Sequence, residues 1–311
     1  MLSSLFAIDR FKQLRSKLQS QGFLAVASAL ARRVVPRRAS CFRDLSARFS
    51  AGTGLELGGP SAAFSSHGLF PVYDHARRID NCNFGHQTLW EGAITEGATF
   101  RVGKSSDVGQ QFVAEATDLG RIASSTYDFV LSSNTLEHVA NPLRALAEWI
   151  RVLREDGLLV LVLPHRDGTF DHRRPVTTLS HLVQDFNQGM SEGDLTHLEE
   201  ILALHDLGRD PAAGSFEAFA ERSRNNLENR SLHHHVFDTR LAIDMVDHMG
   251  LQIIAVEAYR PYDILVVARK LDPTSRPANG SFKAADSAAL LRSPFATDLL
   301  GTRPEAPRAS V

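Results

Sequence analysis

Residues 127–164 read YDFVLSSNTLEHVANPLRALAEWIRVLREDGLLVLVLP, and this stretch decides the fold. The apolar run Phe129-Val130-Leu131 stops at Ser132-Ser133-Asn134, the pattern of a buried strand that delivers its carboxyl end into a crevice. Leu143, Leu146, Ala147, Ile150 and Leu153 then recur at helical spacing behind Pro142, which suits a first helical turn. Asp156-Gly157 breaks the helix, and Leu158 to Leu163 form a second buried strand closed by Pro164. Strand, helix and parallel strand make a right-handed crossover, so the spacing predicts an α/β doubly wound sheet.

Working outward, Leu55-Glu56-Leu57 predicts a short strand that ends in Gly58-Gly59. Glycines at a strand end let backbone approach a ligand closely, and the amides beyond can hold an anionic group. A strand near Ala76 to Ile79 ends at Asp80, which falls 22 residues after Gly58. An acid about 20 residues past such a turn is placed to accept from both ribose hydroxyls of a nucleoside; Asp74 is the rival, and a solvated loop carboxylate the plain alternative. Residues 81–110 suggest a hairpin-like insertion, and Gln111 to Ala114 resume as a strand. On the far side, Leu251 to Val256 and Ile264 to Val267 are joined by only Tyr259-Arg260-Pro261-Tyr262, so they must run antiparallel.

These residues also resemble a family. YDFVLSSNTLEHVANP followed by LREDGLLVLVLP is similar to the segment from the fourth to the fifth strand of class I S-adenosylmethionine-dependent methyltransferases, in the small-molecule "methyltransferase type 11" branch. That branch carries an "EHV" after strand four. GLELGGPSA at 54–62 resembles its first motif, acidic-x-Gly-x-Gly-x-Gly, through Glu56 and Gly58, and departs from it at Pro60 and Ala62. The resemblance implies S-adenosyl-L-methionine as cofactor, held by Glu56, Gly58, Gly59, Asp80, Asp118, Ser133 and Asn134. Asp118 stands where the family receives the adenine amino group, although Asp is equally a good helix cap. The fold implied is a mostly parallel seven-stranded sheet with an antiparallel last strand, which a purely parallel nicotinamide-binding domain lacks.

Composition bounds the rest. The chain has 311 residues, 43% hydrophobic and 23% charged, with net charge −2. Nine Lys or Arg against the single acid Asp9 fall within residues 1–43, so the body beyond is acidic, and a nucleic-acid partner is not expected. Residues 1–38 read as basic amphipathic helices, either packing ahead of the domain or attaching to an anionic membrane surface. Two cysteines, Cys41 and Cys82, make no disulfide framework, which fits a reducing cytoplasm, and no apolar run of about twenty residues is present, so no transmembrane helix is expected and membrane contact would be peripheral, through residues 1–38.

Nine of the thirteen histidines lie between 165 and 248. The expected organisation is residues 1–38 as N-terminal helices, 39–164 as the cofactor-binding half, 165–237 as an α-rich substrate cap, 238–270 as the end of the α/β domain and 271–311 as a disordered tail. His138, just after the fourth strand, is the first candidate for catalytic base, with His165 and His235 behind it. Asp171, His172, Arg173 and His233 are candidates for substrate binding. No metal is expected, because there is no His-Glu-x-x-His and no Cys pair. The function expected is O-methylation of a small polar acceptor, a sugar or glycan precursor. A non-catalytic cofactor-binding partner protein and an NAD-dependent oxidoreductase are the rivals.

Overall fold

The computed structural model describes residues 37–103 and 107–300. The proposed N-terminal helices and their membrane contact lie outside these residues, apart from Arg37 and Arg38. No described helix is long and apolar enough to cross a membrane.

A helix α1 (Phe42–Phe49) precedes β1 (Thr53–Leu57) and β2 (Arg78–Asn83). A two-stranded ribbon follows, β3 (Gln87–Thr88) with β4 (Gly92–Ala93), then β5 (Gly97–Phe100) and β6 (Gly109–Val113). The opening stretch of the sequence supplies β7 (Tyr127–Ser133), α2 (Pro142–Val152) and β8 (Leu153–Pro164). Helices α3 (Leu179–Gln188), α4 (Leu198–Leu204), α5 (Phe216–Arg224) and α6 (Asn226–Asn229) form the cap. Helix α7 (Thr239–His248), β9 (Gln252–Tyr259) and β10 (Asp263–Arg269) complete the sheet.

The sheet has eight strands in the order β5-β6-β2-β1-β7-β8-β10-β9. Strands β6, β2, β1, β7 and β8 are parallel, whereas β10 runs antiparallel to both β8 and β9. All seven expected strands are present. The eighth, β5, pairs antiparallel with the outer edge of β6; its Gly97-Ala98-Thr99-Phe100 carries only one buried apolar residue, too weak a pattern to read as a strand. Strand β2 also runs three residues beyond Asp80, because Asn81, Cys82 and Asn83 are buried despite their polarity.

Alternation along the strands divides the core between the two sheet faces. Leu159, Leu161 and Leu163 of β8 pack with α2 and α7 on one face, while Leu158, Val160 and Val162 pack with Phe49 and Phe70 on the other. Helix α2 starts as expected, with Asn141 as N-cap accepting from Arg144 N–H and Pro142 in its first turn. Its buried face is turned by one residue from the predicted stripe: Trp149, not Ile150, is fully buried, and its indole N–H donates to Ala116 O at 3.0 Å.

The predicted disordered tail is folded as far as Leu300. Three short helices, α8 (Gly280–Lys283), α9 (Ala288–Leu291) and α10 (Ala296–Leu300), lie along it. Individual side chains pin it, not a periodic apolar face. Phe295 stacks on His165 at 4.0 Å, Asp298 accepts from Thr239 Oγ1 at 2.6 Å, and Asn279 Oδ1 accepts from the Ile253 N–H at 2.9 Å. Residues 301–311 lie outside the described residues.

Candidate functional site

A cavity of about 760 Å³ opens at the carboxyl ends of the parallel strands, lined there by Leu57, Asn83, Ala114, Ser133 and Pro164. It lies where the strand order reverses between β1 and β7, the usual ligand crevice of a doubly wound sheet. Its volume suits a nucleoside cofactor together with a small acceptor.

The floor is the loop after β1. Gly58 has φ +79°, and a Cβ there would lie 2.4 Å from Thr135 Oγ1, so only glycine fits. At Gly59 a Cβ would meet the Glu56 carboxylate at 2.1 Å. The Gly59 carbonyl accepts from Asn81 Nδ2 at 2.6 Å and Asn83 Nδ2 at 3.1 Å, which ties the loop to β2. Glu56 is fully buried under the loop, accepting from Ser61 N–H at 3.0 Å and Tyr73 O–H at 2.7 Å. Burial raises its carboxyl to about 7 against the lowering effect of those two donors. Glu56 therefore shapes the loop from below, while Gly58 borders the cavity. Ser133 and Asn134 border it too; Asn134 turns the chain with φ 49°, a conformation Asn tolerates.

Like Glu56 and Gly59, two further expected cofactor contacts do not border the cavity. Asp80 is in mid-strand, buried, with Oδ1 accepting from Gln110 N–H and Oδ2 from Tyr127 O–H, both at 2.8 Å. It joins β2 to β6 and β7 and does not border the cavity. Because β2 is longer than its apolar pattern, Asn83 and Phe84 occupy the strand end that Asp80 was expected to hold. Asp118 is exposed and closes a turn onto Gly120 N–H at 3.0 Å. In this segment Glu115, two residues after β6, borders the cavity instead, paired with Arg230 at 2.5 Å. Arg230 also meets Glu192 at 3.1 Å and lies over the Phe84 ring at 5.4 Å.

The histidines divide in the same way. His138, on the turn Leu136–His138, borders the cavity with His233 and Trp90. Its Nδ1 lies 3.0 Å from Leu232 O; a carbonyl only accepts, so Nδ1 carries the proton and Nε2 the lone pair. Burial, then His233, hold His138 well below its ordinary value, so the ring is neutral. His233 Nδ1 meets Asp171 Oδ2 at 2.5 Å, and the His138 and His233 rings are edge to face at 4.6 Å. Behind them Asp171 is buried and Arg174 Nη1 donates to its other oxygen at 3.0 Å. Burial would raise the Asp171 carboxyl, but His233 and Arg174 outweigh it and hold it at about 2. Glu137, from the "EHV" triplet, is buried, raised to about 7 by desolvation, with Oε2 lacking a hydrogen-bond partner among the described residues. One ligand-type atom from each of Glu137, His138 and His233 lies within 4.8 Å of the other two, so the hydroxyls of a bound acceptor can reach all three.

His165 and His235 are not at this cavity. His165 is fully buried against the tail, with Nε2 3.2 Å from Asp298 Oδ1, because β8 turns away at Pro164 and the tail covers the turn. His235 points beneath the cap, with Nε2 3.2 Å from Ala140 O. His172 and Arg173 meet Asp206 at 2.9 and 3.3 Å and do not border the cavity. His233 enters the cavity, whereas its neighbour His234 bonds Asn226 Nδ2 at 3.1 Å. A second group, His181, His197 and His235, also brings ligand-type nitrogens within 4.8 Å. Sequence motifs missed it because its members come from three elements.

Residues 94–161 match a family model described as a methyltransferase domain. No curated protein matches the chain. Among solved structures, the chain is similar to a proposed S-adenosylmethionine-dependent methyltransferase from Listeria monocytogenes, at 18% identity over 74% of this chain and 96% of that one, with a TM-score of 0.42. It is also similar to an S-adenosylmethionine-dependent methyltransferase from Mesorhizobium loti, at 15% identity over 75% and 98% of the two chains, with a TM-score of 0.40.

Proposed function

We propose that this chain, which carries an S-adenosylmethionine-dependent methyltransferase domain, methylates a hydroxyl of a small polar acceptor, with His233 as general base. The observation that carries the reading is the Asp171–His233 hydrogen bond of 2.5 Å beside His138 at the cavity wall. The cofactor supplies an electrophilic methyl on a sulfonium; the chain must align the acceptor and take up a proton. The glycine loop fits the group, since Gly58, packed on Thr135, presents bare backbone to the cavity.

Burial lowers His233, but Asp171, with Glu137, outweighs it and raises the ring, which strengthens it as a base; with its Nδ1 proton facing Asp171, the neutral ring keeps on Nε2 the lone pair that removes the acceptor proton. Neutral His138, with its own Nδ1 engaged at Leu232 O, keeps its Nε2 lone pair for a second hydroxyl of the acceptor. Phe170, Arg209 and Asp210 of the cap complete the wall. Their mixed charge supports a hydroxyl-rich acceptor such as a sugar or glycan precursor, bound between cap and sheet. We assign ribose and adenine contacts to Asn83, Phe84 and Glu115, and the cap role to residues 165–237. Two free cysteines, Cys41 and buried Cys82, support a reducing, cytoplasmic location.

The test is transfer of isotopically labelled methyl from S-adenosylmethionine to a panel of sugars, amines and thiols, with the methylated atom located by NMR. An O-methyl sugar supports the proposal. Methyl found on nitrogen or sulfur, with sugars inert, sinks the base assignment.

A further inference from the structure

Beneath the cap, away from the cavity, three histidines converge from separate elements. His181 lies in the first turn of α3, His197 immediately precedes α4, and His235 lies in the extended segment before α7. His181 Nε2 and His197 Nε2 are 3.0 Å apart. Asp185, one turn after His181 on the same face of α3, places Oδ2 3.3 Å from His181 Nε2 and 3.7 Å from His235 Nε2. Four ligands held tetrahedrally at about 2.0–2.1 Å around one ion stand about 3.4 Å from one another; the His181, His197 and Asp185 atoms are near that spacing, and His235 Nε2 joins them by exchanging its contact with Ala140 O for the ion.

The polar atoms here are short of partners. Asp185 is 3% exposed and His235 1%, yet Asp185 Oδ2 and His235 Nδ1 have no hydrogen-bond partner among the described residues. Buried polar atoms left this way call for an occupant.

We propose that His181, His197, His235 and Asp185 form a closed structural site for a divalent ion of the zinc type. Three imidazoles and a carboxylate suit such a borderline ion. The ion ties α3 and α4 to the segment that carries His233 two residues upstream, where His234 N–H donates to Glu137 O at 2.8 Å. It thereby braces the cavity wall without touching substrate.

The experiment uses the full chain without an affinity tag, stripped by chelator and titrated with Co²⁺ and Zn²⁺. One equivalent of cobalt should give the intense visible bands of four-coordinate geometry, and zinc should raise Tm. His197→Ala should weaken binding at least about 100-fold, while His138→Ala, in the cavity cluster, should retain it. Should His197→Ala fail to fold, Asp185→Asn takes its place. A folded wild-type protein that binds neither ion overturns the proposal, as does binding lost in His138→Ala but kept in His197→Ala.

Discussion

Replacing Asp171 by Asn keeps its shape and removes its charge, which isolates what that charge does for fold and catalysis. Asp171 is 3% exposed and contacts His233 and Arg174. Its carboxyl is held at about 2, below its ordinary value of 3.8. A depressed acid stabilises the fold fully above its unfolded pKa, and the contribution is lost as pH falls through the folded value. At pH 7 all of it is present, about 2 kcal/mol from a shift of roughly two units. Asp171→Asn should therefore lower stability at pH 7 by about 2 kcal/mol or more, since Arg174 loses a buried counter-charge. Urea denaturation at pH 7 measures this.

The catalytic effect should be separate and larger. An amide can donate to His233 Nδ1, which moves the ring proton to Nε2 and turns the lone pair away from the acceptor. Loss of a positioned base costs about 10²–10⁴ in rate. We expect kcat for the acceptor found in the labelling screen to fall by that factor. S-adenosylmethionine affinity should be unchanged, because Asp171 does not border the cavity. A folded Asp171→Asn protein with wild-type kcat would refute the base assignment.

Gly58→Ala forces a Cβ into Thr135 at a φ of +79°, a strain of about 1–3 kcal/mol; if the loop carries the cofactor, calorimetry should show about tenfold weaker binding for each 1.4 kcal/mol lost. Asp80→Ala removes the acceptor for Gln110 and Tyr127, so it should cost about 1–3 kcal/mol of stability and leave cofactor affinity intact; weaker binding by folded protein would restore Asp80 to the ribose. Glu56 keeps its proton up to about pH 7 in the fold but releases it near pH 4.5 when unfolded. Its stabilisation is thus full below about pH 4.5 and lost as pH rises through 7, a change of about 3 kcal/mol. Glu56→Gln should flatten that part of the stability–pH curve, leaving the similar contribution of Glu137; an unaltered curve would show that Glu56 is ionised in the fold.

The sequence by itself determined the sheet. Buried parallel strands advertise themselves as apolar runs, and β7–α2–β8 does so within 38 consecutive residues. The glycine turn at 58–59 and the histidine at 138 were legible for the same reason, since each sits at a strand end whose position the pattern fixes. Contacts that depend on where a polar strand stops were not. Asn81 and Asn83 are buried through hydrogen bonds to Gly59, so polarity concealed three residues of β2 and displaced Asp80 from the ribose position. Tertiary structure alone sorted the cap histidines. His233 and His235 share a segment, yet one reaches Asp171 and the cavity while the other faces His181 and His197. The folded tail was equally hidden, because Phe295 and Asp298 act singly on His165 and Thr239. Periodic burial leaves a trace in sequence; a single side chain whose partner is distant in the chain does not.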